Sequence, residues 1–132
     1  MIQIFKNYPK LKDQLAYIPL GDFPTPIQKL TRLEARLHYD GIYIKRDDLS
    51  SNVYGGNKVR KLEFILGEAV RKKKKEILTF GYAGSNHALA TTIFAKEAGL
   101  KSVLMLLPQH NAHYVRRNLL ADYHFGAELH QQ

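Results

Sequence analysis

The amino-acid sequence predicts an α/β fold, an open parallel sheet with helices on both faces. Three observations carry that prediction. The short apolar runs Ile77-Leu78-Thr79-Phe80 and Val103-Leu104-Met105-Leu106-Leu107 have the length and residue types of buried strands. Each is followed by a turn and a helical stretch, Ser85 to Ala98 and His113 to Phe125, closed by Gly99 and Gly126. Ala127-Glu128-Leu129 then begins a third strand. Two successive strand-helix-strand units imply parallel pairing, because a helical crossover returns the chain in its original direction.

The elements before this region follow in order. Pro9, Pro19, Pro24 and Pro26 punctuate residues 1–26, which read as irregular. Thr25 before Pro26 reads as an N-cap with proline at the first helical position. Ile27, Leu30, Leu33 and Leu37 recur at three and four, predicting an amphipathic helix that ends near His38. Gly41 breaks the chain, and Ile42-Tyr43-Ile44-Lys45-Arg46 alternates as a strand does. Asp47 to Asn52 and Gly55-Gly56 form a polar connection. From about Asn57 a longer helix puts Val59, Leu62, Ile65, Leu66, Ala69 and Val70 on one face, and Arg71-Lys72-Lys73-Lys74-Lys75 closes it. The last residues, Glu128 to Gln132, read as a strand cut as it begins. Three parallel strands leave an exposed edge, so the chain is expected to be a fragment or to need a partner.

Composition narrows the function classes. With 132 residues, 45% hydrophobic and 24% charged, the chain has the size and balance of one globular domain. Cysteine is absent, which excludes disulfides and thiolate chemistry. No apolar run approaches the ~18 residues of a spanning helix, and Met1 to Lys6 lacks a leader pattern, so the expected location is cytoplasmic with no membrane partner. The net charge of +8 invites a nucleic-acid reading. Much of it lies in the Arg71–Lys75 run, where cations complement a helix C-terminus and no aromatics interleave as a stacking platform. No nucleic-acid partner is expected.

Two segments can carry chemistry. Lys58 follows Gly55-Gly56-Asn57, in the first turn of the helix that Asn57 caps. The glycines let the backbone approach a flat ligand closely, and Arg60 and Lys61 add positive potential that can serve an anionic group. Covalent amine catalysis through Lys58 and a solvated lysine are both open on this chemistry alone. A phosphate loop is not, because Val59 stands where that motif needs Ser or Thr. The second segment is Gly81-Tyr82-Ala83-Gly84-Ser85-Asn86-His87, between a strand and a helix, where open α/β sheets bind ligands. Helix-start N–H groups there can hold a carboxylate, Ser85 can donate or accept, and Asn86 can bond a phenolic oxygen. Ser85 as a plain N-cap, with Asn86 and His87 exposed beside it, is the competing reading. His110 and His113 flank Asn111 without a third ligand in register, so no metal site is expected. Adjacent Asp47 and Asp48 point apart on extended chain and read as loop or cap residues.

Together these pieces resemble the fold-type II pyridoxal-phosphate enzymes, and more narrowly the D-cysteine desulfhydrase and 1-aminocyclopropane-1-carboxylate deaminase family. The resemblance lies in Phe23-Pro24-Thr25-Pro26, Ile44-Lys45-Arg46-Asp47-Asp48, Gly56-Asn57-Lys58-Val59-Arg60-Lys61-Leu62-Glu63 and Gly84-Ser85-Asn86-His87. It implies that Lys58 holds pyridoxal 5'-phosphate by a Schiff base and then serves as the base at the substrate. It further implies that Asn57, Lys61 and Asn86 contribute to the cofactor site, with Asn86 beside the ring oxygen. Ser85, Asn86 and His87 are implied at a small amino-acid substrate, Ser85 at its carboxylate or as a catalytic hydroxyl. His87 points to the desulfhydrase branch, α,β-elimination giving pyruvate and ammonia, because the deaminases carry Gln there. Residues 1–50 are expected to belong to the larger cofactor domain and 51–132 to form most of the smaller one. The family's phosphate cup lies beyond the matched part, so the 132-residue chain alone is expected to bind the cofactor weakly and to be inactive. A homodimer is the family's usual assembly.

Overall fold

The computed structural model describes residues 2–110 and 112–131. Two small helices, α1 (Gln3–Asn7) and α2 (Leu11–Gln14), open the chain, where the prolines predict irregular structure. A two-stranded antiparallel ribbon follows, β1 (Ile27–Lys29) against β2 (Tyr43–Lys45), with α3 (Thr31–Leu37) between them. This corrects the expected helix from Thr25-Pro26 to His38. Ile27 pairs with Lys45 and Lys29 with Tyr43, so ladder hydrogen bonds claim the first turn of that helix. Thr25 caps nothing. Its buried hydroxyl donates to Asp47 Oδ1 at 3.1 Å.

The rest follows the predicted order. A short 3₁₀ turn (Asp47–Leu49) leads through the glycines to α4 (Lys58–Arg71), and β3 (Glu76–Tyr82), α5 (Asn86–Glu97), β4 (Lys101–Leu107), α6 (His113–His124) and β5 (Glu128–Gln131) complete it. Strands β3, β4 and β5 lie side by side in that order, all parallel, with Glu76 opposite Lys101 and Val103 opposite Glu128. The fold is the α/β parallel sheet with helices that the sequence predicts.

Helix α5 is the centre of the packing. Residues Ala88 to Ala95 are buried without a break. On one flank Ala90, Phe94 and Ala95 meet Val59, Leu62 and Leu66 of α4. On the other, Ala88 packs with Leu104 and Leu106 of β4, and Leu119 of α6 closes over them. Leu62, Leu66 and Phe94 are each at most 1% exposed, so cutting any of them to alanine costs about 2–5 kcal/mol. Helices α4, α5 and α6 therefore pack on one side of the described sheet, where the sequence reading expects helices on both faces. Among the described residues the other face is open, and Leu78, Phe80, Tyr82 and Leu107 are exposed on it.

The lysine run lies where the sequence puts it, exposed at the end of α4. Arg71 and Lys72 reach back to Glu68 across one helical turn. No helix among the described residues is long and apolar enough to cross a membrane.

Candidate active site

The start of α4 is prepared by the loop before it. Ser50, fully buried, accepts from the Gly56 N–H and donates to the Gly56 carbonyl, both at 2.9 Å. A Cβ at Gly55 would lie 1.9 Å from the Asp48 carbonyl oxygen, and Gly56 has φ +135°. Glycine is thus required twice in succession to bring the chain round to Lys58.

The residues after that loop divide their tasks. Val59 and Leu62 enter the core. Arg60 pairs with Asp47 at 2.7 Å, donates to the Thr25 hydroxyl at 3.0 Å, and lies 4.3 Å over the Phe23 ring. Arg60 is therefore committed to the chain's own carboxylate, which corrects the reading of it as a site for an external anion. That pairing holds the Asp47 carboxyl below its ordinary range. Glu63, also buried, accepts from the Tyr17 hydroxyl (3.0 Å) and the N–H groups of Leu20 (3.1 Å) and Gly21 (3.3 Å). Lys58 is different. Its Nζ donates to Asn57 Oδ1 at 3.0 Å and has no carboxylate partner among the described residues. Asn57 stands at the N-cap position in helical geometry without a side-chain cap bond, so its expected capping role is not what its amide does. Lys61, one turn on, is exposed.

The start of α5 is built from neutral groups. Ser85 does cap it, accepting from the Ala88 N–H at 3.2 Å, which leaves its own proton free to donate. The Gly84 N–H donates to Gln109 Oε1 at 2.9 Å, and the Ser85 N–H to the Tyr82 carbonyl. The N–H groups of Asn86 and His87 have no partner among the described residues and remain for an anion. Asn118, buried on α6, donates to the Gly84 carbonyl at 2.9 Å and to Asn86 Oδ1 at 3.0 Å. Tyr54, from the loop before α4, donates to the same Asn86 oxygen at 3.3 Å and so ties the two helix starts together.

His87 lies between them. It is half-buried, and its Nδ1 has no hydrogen-bond partner. Burial, followed by the charges of Lys61 and Lys58, pushes its pKa below the ordinary histidine value. The charges of the two lysines of α4 thus reach the start of α5. The structure brings Lys58, Lys61, Ser85, Asn86 and His87 into one neighbourhood, with Asn57 beside Lys58. Residues absent from the sequence reading are Tyr54, Gln109 and Asn118, the side chains that hold the loop. His110 is exposed, His113 opens α6, and Asn111 lies outside the described residues. No cluster of metal-ligating side chains forms among the described residues.

Residues 18–132 match the family model described as "Pyridoxal-phosphate dependent enzyme". The chain belongs to that family. It is 44% identical over 112 residues to a protein of Thermotoga maritima named putative 1-aminocyclopropane-1-carboxylate deaminase, covering 85% of this chain and 35% of that one. It is 41% identical over 99 residues to the D-cysteine desulfhydrase of Serratia proteamaculans, covering 73% of this chain and 30% of that one. A crystal structure of an ACC deaminase homologue superimposes with a TM-score of 0.81 at 35% identity, over all of this chain and 38% of its own. The chain therefore spans about a third of the length of the relatives it matches.

The residues present fit the family's cofactor. Pyridoxal phosphate needs an amine unencumbered by a counter-ion, a donor for its ring oxygen and a water-poor wall. Lys58, the Asn86 amide and half-buried His87 with its orphaned nitrogen offer these side by side.

Proposed function

We propose that this chain carries the cofactor lysine and the substrate-carboxylate end of a pyridoxal-phosphate dependent amino-acid lyase of the D-cysteine desulfhydrase kind, releasing pyruvate and ammonia. The observation that carries the reading is Lys58. In the stretch Lys58–Glu63 the other buried or half-buried polar side chains, Arg60 and Glu63, are bonded to the N-terminal segment, while the Lys58 amine, whose charge acts on His87 of α5, has no carboxylate partner among the described residues. Bound there, pyridoxal phosphate supplies an electron sink for charge developing at the substrate Cα. Lys58 Nζ would hold the cofactor, and the same amine is the group that would move a proton at the substrate Cα. Asn86 Nδ2 donates to the ring oxygen, with Asn57 and Lys61 at the edge of the cofactor site. The Asn86 and His87 N–H groups and the Ser85 hydroxyl bind the substrate carboxylate. Burial and the charges of Lys61 and Lys58 disfavour the protonated form of His87 beside that carboxylate site. In this reading residues 1–50 contribute to the larger domain of the whole enzyme, and 51–132 form most of the smaller one.

Deamination of 1-aminocyclopropane-1-carboxylate is the second reading, favoured by the name of the Thermotoga maritima relative; His87 favours the first. The decisive experiment treats the chain with pyridoxal phosphate and borohydride, then maps the reduced adduct by peptide mass spectrometry. The adduct is expected on Lys58 ahead of every other lysine. Adduct spread over the exposed Lys72–Lys75 run with no preference for Lys58 would overturn the proposal and favour a scaffold that acts only by interaction. Assays with D-cysteine and with the cyclopropane amino acid, on a chain extended to the relatives' length, separate the two enzymatic readings.

A further inference from the structure

The Asn86 amide can present either its nitrogen or its oxygen to the site, and only the nitrogen can donate to a ring oxygen. Two residues distant in sequence, Asn118 and Tyr54, decide which, together with the nearby Gly84 carbonyl. The Gly84 carbonyl can only accept, so the Asn118 atom 2.9 Å from it must be the amide nitrogen. The same nitrogen lies 3.0 Å from the Asn86 side chain, so the Asn86 atom facing it must be the oxygen. The Tyr54 hydroxyl donates to that oxygen as well, at 3.3 Å. At the other end of its amide, Asn118 Oδ1 accepts weakly from the Arg117 guanidinium at 3.4 Å. A backbone carbonyl, whose orientation is not in question, thereby fixes the first amide, and the first fixes the second.

Burial makes this arrangement costly to break. Asn118 is fully buried, and turning its amide would set oxygen against the Gly84 carbonyl. Asn86 is exposed and would otherwise rotate freely. We infer that Asn118 is a positioning residue, which locks the Asn86 amide with its nitrogen toward the cofactor site, and that Tyr54 assists it. The inference rests on the proposed contact between Asn86 and the cofactor.

The test is a double-mutant cycle read as the pyridoxal phosphate concentration that half-labels Lys58 under borohydride. Asn118→Asp keeps the shape and removes the donor, so Asn86 turns its nitrogen inward. The expected result is a rise in that concentration of about tenfold, the scale of one lost hydrogen bond to a charged group. Asn86→Ala is expected to give a similar rise, and the double variant no more than Asn86→Ala alone, because Asn118 acts through Asn86. Multiplying effects in the double variant would show a general structural role and overturn the inference. If Asn86→Ala labels like wild type, the cofactor contact of Asn86 is what fails. If Asn118→Asp does not reproduce the wild-type backbone amide spectrum, Asn118→Ala replaces it in the cycle. Wild-type protein supplies a measurement independent of any variant. Both Asn118 side-chain amide protons are expected to exchange slowly with solvent in the cofactor-free chain, and exchange as fast as that of an exposed asparagine would overturn the lock.

Discussion

The two helix starts that form the candidate site are held in opposite ways. The first turns of α4 are anchored by charge: Arg60 grips Asp47, and Glu63 gathers the Tyr17 hydroxyl and two backbone N–H groups. The start of α5 is anchored by neutral amides and hydroxyls from Gln109, Asn118, Tyr54 and Ser85. The difference follows from what each must present. Around Lys58, Arg60 and Glu63 are satisfied by the N-terminal segment, which leaves the Lys58 amine without a carboxylate partner among the described residues. Around Asn86, neutral partners set an orientation without adding a charge that would compete with an anionic substrate or cofactor.

That contrast can be broken at its strongest point first. Lys58→Ala should abolish the preferential cofactor adduct while leaving the thermal melt within a degree or two, because the amine supports nothing else in the fold. Retained preferential labelling on a neighbouring lysine would show that the site does not single out one amine. Glu63→Gln should cost about 2–4 kcal/mol in urea unfolding, since a buried carboxylate accepting three hydrogen bonds is replaced by a weaker acceptor that brings unsatisfied donors.

Asp122 tests the neutral side of the comparison. It is buried on α6 with Oδ1 unpartnered, and burial pushes its pKa up to about 6, the nearby Thr92 hydroxyl offsetting only part of this. A carboxyl that titrates higher folded than unfolded binds more protons in the native state, so its contribution is complete below pH 4 or so and is lost as pH rises through about 6. Asp122→Asn should therefore stabilise the chain by on the order of 1–2 kcal/mol at pH 8 and leave it unchanged at pH 4, as read by thermal melts across that range. Ser85→Ala is the mildest change, expected to cost about 1 kcal/mol from loss of the α5 cap. A wild-type melt for that variant would mean that Gln109 and Asn118 alone hold the loop.

The sheet and its helices are legible because their signals are local. Strands β3 and β4 are short apolar runs, α4 and α6 carry helical periodicity, and Gly99 and Gly126 end helices α5 and α6. Of the β1–β2 ribbon, β2 is legible in the alternation of Ile42 to Arg46, but its partner β1 is not. Both three-residue strands are exposed throughout, and β1 is defined only by pairing across the intervening α3. In the site, Lys58 and the Gly84–His87 turn stand out in the sequence, but their supports do not, since Tyr54 and Asn118 each lie 32 residues from Asn86. One signal for Asn118 does exist. With Val115 and Asp122 it occupies the buried stripe of α6, and an uncharged amide on an inward-facing stripe points to a side chain with a partner.

The open face of the sheet sets how the isolated chain behaves in solution. Leu78, Phe80, Tyr82 and Leu107 offer an adhesive apolar surface, while the net charge of +8 keeps copies apart by mutual repulsion. Salt removes the repulsion and leaves the adhesion, since at about 1 M the screening length shrinks to roughly 3 Å. The isolated chain is thus expected to cloud as ionic strength rises and to clear again on dilution, as turbidity measurements would show.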